Sequence, residues 1–475
     1  MKWTHIRYVF SALIGILFLL CAYRAMTMSM THDESGTYLF WHDQSILPFL
    51  YEPSLWTSAN NHLLNTQLFQ ISEYILGFSD FSIRLPNVLS WLIYGFSCLV
   101  ISQIVYNRIP SQVIFLSLIL LNPYAFDFFS ICRGYGLSLA LLCAALLLIF
   151  LYYRRGELTH LISAYTCLLF SALAILSHAI LLPVFAISIV IVDVITVGLY
   201  KARWVGLISF LFLCLSCIIL YTPIMALSAG GELAYGNQSL WTSWTTLVQD
   251  SLMGKPYVGN HTDTILAVTI LVIITIGIIL RLACMFKYGS TLNNYRIHGF
   301  LAVSFVTLLS ALLLSHLILG NEYPINRKSL FLLPIGALLL SSAIDLASGR
   351  KIYVGFSIVV FFLSLLHFVN TTNLNHTREW WYDSHTKQYI YKIANLSGDD
   401  DHISIGCHWL FHPTLSYYQQ MGELKNLQIQ PYLKDIDLFN SYDYFISTSQ
   451  EIHLLESEYD VVKKSSTDAI LWRKK

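Results

Sequence analysis

The sequence predicts an all-α polytopic membrane bundle of about eleven transmembrane helices with a small C-terminal α/β extramembrane domain, and three observations predict it. Of 475 residues, 56% are hydrophobic and only 12% charged, too little charge to cover a soluble surface. Apolar runs of about 20 residues, enough to cross a hydrocarbon core of about 30 Å, recur along the chain up to residue 370. Past that point Asn, Asp, Tyr and Lys replace Leu and Ile. Lys plus Arg (28) equals Asp plus Glu (28), so no basic excess points to nucleic acid.

The spans fall near residues 8–27, 86–106, 112–128, 134–153, 161–178, 181–200, 204–222, 265–286, 300–319, 330–346 and 352–369. The first lacks a small-residue cleavage site and is expected to stay as an anchor. With the N-terminus inside, the short inner loops collect twelve cations: Lys2, Arg7, Arg108, Arg154, Arg155, Lys201, Arg203, Arg281, Lys287, Arg296, Arg350 and Lys351. Cations bias loops towards the cytoplasm, and an odd number of spans then puts the C-terminus outside. The long segments 28–85, 223–264 and 370–475 fall on that outer side, and the chemistry is expected there. Residues 1–370 form the membrane domain, with interfacial helices in the outer loop 28–85, and residues 371–475 form an extracytoplasmic domain.

Within HLLNTQLFQISEYILGF, Leu64, Leu68, Ile71, Ile75 and Phe78 repeat at alternating steps of four and three, a helical stripe opposite Gln67, Gln70 and Glu73. Such a helix either lies in the membrane interface or packs on the spans. In the tail, a helix near 383–397, a strand HISIGCH, a helix Pro413 to Met421, a strand YDYFISTS and a final strand DAILWRK predict the α/β domain. Asp399-Asp400-Asp401 reads as a solvated turn. Nine cysteines, eight of them in or beside apolar runs, give no disulfide or zinc framework. No phosphate-binding glycine loop is present.

The first candidate chemistry is in THDESGTYLFW, just past the first span. Asp33 and Glu34 are neighbouring carboxylates that do not share a helix face, so two roles are expected. A partly desolvated carboxylate there can accept a proton from a hydroxyl, while Asp33 is also a good N-cap for a helix beginning at Glu34. Arg84, Arg133, Arg327 and Lys328 stand on the side that the charge bias disfavours. An arginine fork suits a lipid phosphate at this depth, although salt bridges to Asp127 or Glu322, or snorkelling, also place such cations. Asn61 and His62 open the amphipathic helix, and His178 marks a hairpin. Either histidine has the donor type to join Asp33 or Glu34 on a metal, and as a lone histidine His178 also reads as a polar turn residue. No cofactor is implied with certainty, and a divalent metal stays open.

Asp33-Glu34 after the first span, NNHLLNTQLF followed by RLPNVLSWLIYG, Arg133-Gly134-Tyr135 and NRKSLFLLP, in this order, resemble the GT-C superfamily of integral-membrane glycosyltransferases, in the branch of protein O-mannosyltransferases and aminoarabinose transferases. The resemblance covers roughly residues 1–370. It implies a polyprenyl-phosphate sugar donor, an outward-facing site, inversion at the anomeric carbon, and a bacterial inner membrane. Asp33 matches the catalytic acidic residue of the first outer loop, Glu34 its partner, and Arg133 an arginine of the second outer loop. Asn61-His62-Leu63-Leu64 stands where members often carry a His-Pro-Pro-Leu-like element, without the prolines. The sugar and the acceptor, whether lipid, glycan or protein, are not implied. The competing class is a transporter or flippase, whose inverted repeats and midplane charges are not seen in the sequence.

Overall fold

The computed structural model describes residues 3–233, 235–288, 293–347, 352–396, 402–434 and 440–475, so the Asp399-Asp400-Asp401 run lies outside the described residues. All eleven expected apolar segments are helical. Eight are long enough to cross a membrane: Ile6–Thr27, Asp80–Val105, Gly134–Arg155, Leu176–Val197, Ala202–Ala229, Thr262–Ala283, Tyr295–Leu319 and Ile352–Thr371. Three are shorter: Ile109–Leu120, Leu158–Ala174 and Leu332–Leu346. We number them first to eleventh in chain order.

The third span corrects the expected 112–128. Helix ends at Leu120, and Pro123 pushes Asn122 into an extended conformation (φ −88°, ψ 109°), as proline does to the residue before it. Asn122 then caps a five-residue helix, Pro123–Asp127, through the Ala125 N–H. At about 1.5 Å per residue a twelve-residue helix reaches only about 18 Å, and the Pro123–Asp127 turn carries the chain on towards the site.

The second and fourth spans form the centre of the bundle and the eleventh is peripheral: 67%, 72% and 11% of their apolar windows are buried. Glycines set the closest helix approaches, as small residues do where lipid supplies no hydrophobic drive. A Cβ on Gly95 would come within 2.9 Å of the Ile14 side chain, and one on Gly134 within 2.1 Å of the Ala174 carbonyl oxygen.

The loop between the first two spans is ordered. It contains a helix His32–Trp41 and the amphipathic helix Leu63–Leu76, which ends at Gly77 with φ 79°. The amphipathic helix is inside out: Asn65 and Phe69 are fully buried, whereas Ile71 and Ile75 are 46% and 69% exposed. The buried Asn65 accepts from Asn87 at 2.6 Å and donates to the Cys132 carbonyl at 3.3 Å. A polar face turned inward and an apolar face turned outward fit a helix lying in the lipid interface.

The tail folds into a five-stranded sheet of order β2-β1-β3-β5-β4, with β1 at Ile403–Cys407, β2 at Leu427–Ile429, β3 at Tyr444–Ser447, β4 at Tyr459–Lys464 and β5 at Ile470–Lys474. β1 runs parallel to β2 and β3, and β5 antiparallel to β3 and β4. The helices Thr386–Leu396 and His412–Met421 match expectation. The short β2 and the largely exposed β4 were not predicted from the sequence. The tail docks on the first loop: Tyr418 Oη accepts from the Met30 N–H at 2.7 Å, and Asp80 accepts from Lys387 at 2.7 Å and Tyr417 at 3.0 Å.

Gly95→Val should lower the unfolding temperature of the detergent-solubilised protein, at an overpacking cost of about 1–3 kcal/mol. Gly15→Val on the same helix pair, where nothing lies within 4 Å of the new Cβ, should leave it nearly unchanged.

Candidate functional site

The two neighbouring carboxylates are used differently. The helix His32–Trp41 starts with a capping box: Thr31 accepts from the Glu34 N–H, and the Glu34 carboxylate accepts from the Thr31 N–H at 3.0 Å. Thr31 is therefore the cap, which corrects the reading of Asp33 in that place. Glu34 is also locked to Arg84 by two hydrogen bonds of 2.8 Å, with both side chains fully buried. The other Arg84 donors reach the carbonyls of Ala25 (3.1 Å), Met28 (2.9 Å) and Ser29 (2.8 Å). Glu34 takes a further bond from the Cys132 N–H.

All five N–H groups of a guanidinium are thus engaged in Arg84. It has no donor left for a phosphate, which corrects the expected lipid contact. Glu34 has no accessible surface, so its expected catalytic part becomes one of tying the first loop to the second span.

Asp33, one residue earlier, points the other way. Its Oδ2 lies 3.5 Å from Arg133 Nη2 and 3.5 Å from Arg327 Nη2 and has no hydrogen-bond partner. These contacts are longer than the roughly 2.7–2.9 Å of a charge-assisted hydrogen bond; Arg133 is buried, whereas Asp33 and Arg327 keep 14% and 27% exposure. Burial pushes the Asp33 carboxyl up, but the charges of Arg133, Arg327 and His32 and a hydrogen bond from Asn60 outweigh it and hold it below its usual value. The group is a carboxylate at neutral pH.

Arg133 is aimed by the first loop: its guanidinium donates to Thr37 Oγ1 at 2.9 Å, Asn60 O at 3.1 Å and Asn60 Oδ1 at 2.7 Å. Arg327 comes from a turn before the tenth span and also meets Glu379 of the tail at 3.4 Å. Its guanidinium lies 5.0 Å from the centre of the Trp380 ring, within cation–π range.

A cavity of about 240 Å³ adjoins this cluster through the chain neighbours Asn61, His62 and Lys328, which line it with Tyr135, Tyr235 and Glu322. Leucine and isoleucine make up half of the remaining wall, which also carries Ser177, Ser315 and Asn321. Lys328 donates to the Tyr235 carbonyl at 3.0 Å and sits over that ring. Burial, together with the Arg327 charge, lowers its ammonium to about 8.

His62 packs edge-on against Tyr135, and neither its Nε2 nor Asn61 Nδ2 has a hydrogen-bond partner. Burial pushes the imidazole well below its usual value, and Arg133 and Arg327 act in the same direction, so His62 is neutral. His178 does not line the cavity. Its Nδ1 bonds Ser171 Oγ at 2.7 Å and its ring meets Phe331. Among the described residues no group of three or more His, Cys, Asp or Glu side chains is placed to hold a metal ion.

The structure thus gathers Asp33, Arg133, Arg327, Lys328, Asn61 and His62 at one end of the bundle and sets Glu34, Arg84 and His178 apart. Sequence reasoning placed Asn60 with Asn61 and His62 at the start of the amphipathic helix without giving it a part in the site, and missed the tail residues Glu379 and Trp380. The run REWWYD, an acid beside an aromatic pair directly after the last span, was the available signal.

Glu34→Gln removes one charge from a buried pair and should destabilise the fold by about 3–5 kcal/mol, read as a large fall in unfolding temperature. Asp33→Asn, with partial exposure and loose partners, should unfold close to wild type in the same measurement.

No protein-family model matches the chain, and none of the curated proteins matches its sequence. Solved structures do match. The archaeal oligosaccharyltransferase AglB from Archaeoglobus fulgidus, in complex with an inhibitory peptide and a dolichol-phosphate, aligns with TM-score 0.51 and 11% identity over 100% of this chain and 75% of that one. ArnT from Cupriavidus metallidurans, bound to undecaprenyl phosphate, aligns with TM-score 0.48 and 11% identity over 99% and 98%. Arabinosyltransferase EmbB from Mycobacterium smegmatis aligns with TM-score 0.32 and 13% identity over 79% and 42%. At these identities the likeness is one of fold alone, and this chain shares the fold of AglB.

Proposed function

We propose that the protein is a glycosyltransferase that moves a sugar from a polyprenyl-phosphate donor to an acceptor hydroxyl at the outer face of a bacterial inner membrane. The observation that carries this reading is Asp33 Oδ2, a carboxylate oxygen without a hydrogen bond between two arginines, in a cluster whose chain neighbours Asn61, His62 and Lys328 line a largely apolar cavity. Support comes from the shared fold of AglB, whose complex holds a dolichol-phosphate, and from the motif order resembling that superfamily.

The donor tail lies along the apolar wall and its phosphate meets Arg327 and Lys328. Asp33 accepts the proton of the acceptor hydroxyl as that oxygen attacks the anomeric carbon. The bond from that carbon to the phosphate oxygen breaks, its electron pair stays on the phosphate, and the configuration inverts. Arg327, Lys328 and Arg133 stabilise the charge that develops there, as preorganised cations do better than water. His62, being neutral, and Asn61 carry unpaired polar atoms in the cavity wall that suit sugar hydroxyls. Metal use is left open by this scheme.

With labelled polyprenyl-phosphate monosaccharides as donors, wild type should release the sugar from at least one. Asp33→Asn should lose about 10²–10⁴-fold in kcat, the usual contribution of a general base. Retained transfer in Asp33→Asn would remove Asp33 from the reaction, and movement of intact donor across the membrane without transfer would make the protein a flippase.

Lys328 gives a pH dependence. Its ammonium is charged below about 8 and neutral above, so donor affinity should fall as pH rises through that value. In Lys328→Arg the guanidinium stays charged, and the alkaline rise in donor KM should disappear.

A further inference from the structure

Two carboxylates share Arg327. Nη2 lies 3.5 Å from Asp33 Oδ2 and Nη1 lies 3.4 Å from Glu379 Oε2, whereas both arms of the Glu34–Arg84 pair close to 2.8 Å. Neither contact of Arg327 has full hydrogen-bond strength. The two carboxylates differ in how firmly they are held.

Glu379 Oε1 accepts from Tyr124 Oη at 2.5 Å. The backbone around it is stitched to the membrane domain: the His376 carbonyl accepts from Arg24 at 3.0 Å, and the Arg378 N–H donates to Asp127 at 2.8 Å. Arg378 Nε donates to Asp250 at 2.9 Å, and Asp383 accepts from the His32 N–H at 2.6 Å. Asp33 Oδ2 has no hydrogen bond at all. An anion arriving at Arg327 therefore displaces Asp33, not Glu379.

We propose that Glu379 is a positioning residue that holds Arg327 and balances part of its charge, so that the donor phosphate replaces Asp33 at this arginine and hands Oδ2 to the acceptor hydroxyl. The proposal rests on the glycosyl-transfer reading of the same site. The groups facing Asp33 are His32, Arg133, Arg327 and Asn60. Those facing Arg327 are Tyr135, Asp33, Glu379 and Tyr124, with Lys328, Tyr235 and His62, while Tyr382 borders both. In the free protein the arginines quiet the carboxylate. A bound phosphate offsets their charge, and the base becomes stronger only when a sugar is there to be transferred.

The test has a binding arm and a kinetic arm, both on the full chain. Undecaprenyl phosphate is titrated onto wild type, Asp33→Asn, Arg327→Gln and the double variant. Competition through Arg327 predicts that Asp33→Asn tightens binding about tenfold in the wild-type background and less than about twofold when Arg327 is Gln, a coupling that double-mutant cycles isolate. Equal tightening in both backgrounds would show general charge repulsion and overturn the proposal.

In the kinetic arm, Glu379→Gln should lower kcat about tenfold and move the acid limb of kcat to lower pH, with donor KM unchanged or reduced. If KM rises in step with a lost unfolding temperature while kcat holds, Glu379 is merely structural and the proposal fails. Tyr124→Phe, which frees Glu379 without removing its charge, should give a weaker effect of the same sign and serves should Glu379→Gln not fold. The binding arm needs no turnover, so absent sugar transfer with intact coupling would sink the reaction and leave the displacement standing.

Discussion

The buried pair between Glu34 and Arg84 is the constraint on which the site depends. It joins the end of the first span, through the carbonyls of Ala25, Met28 and Ser29, to the start of the second span and to the backbone at Cys132. A fully buried ion pair is tolerable only when every lone pair and proton is engaged, and here the arginine has no free donor. Because Glu34 is pinned inward as the third residue of a helix, its neighbour Asp33 must leave the helix on another face, where it meets Arg133 and Arg327. The buried carboxylate sets the direction of its neighbour.

This division between tight and loose charge pairs runs through the whole end of the bundle. Asp127 with Arg24 at 2.6 Å, Asp250 with Arg378 at 2.9 Å and Asp80 with Lys387 at 2.7 Å hold loops and tail in place. The contacts of Asp33 and Arg327 are all 3.4–3.5 Å. Pairs closed to hydrogen-bond distance are costlier to break than contacts that stop short of it, so the distances, more than the exposure, separate the two groups. The tail belongs to this scheme, since its first residues supply Glu379, Trp380 and Asp383 to the membrane domain.

Much of this was legible in the sequence. Apolar runs located the eleven helices, and the four-and-three spacing of Leu64, Leu68, Ile71 and Ile75 gave the amphipathic helix, although only the structure shows its polar face turned inward on Asn65 and Asn87. The capping box Thr31-His32-Asp33-Glu34 was readable as a local pattern and would have separated the two carboxylates at once. Asn122-Pro123 likewise marked the early end of the third span. Contacts such as Arg327 with Glu379 or Arg133 with Asn60 were not readable, because they join residues far apart in the chain with no spacing rule between them. His178 was readable either as a metal donor or as a polar turn residue, and it proves to be held by Ser171, a partner that only helix packing reveals.

Release of Asp33 by a lipid phosphate at the arginines is open to direct view in a structure of the protein with undecaprenyl phosphate bound. The phosphate oxygens should lie within hydrogen-bond distance of Arg327 and Lys328, with Arg327 still on Glu379 and Asp33 Oδ2 turned away from the arginines. A phosphate seated elsewhere, or an unchanged contact between Asp33 and Arg327 beside a bound lipid, would contradict it.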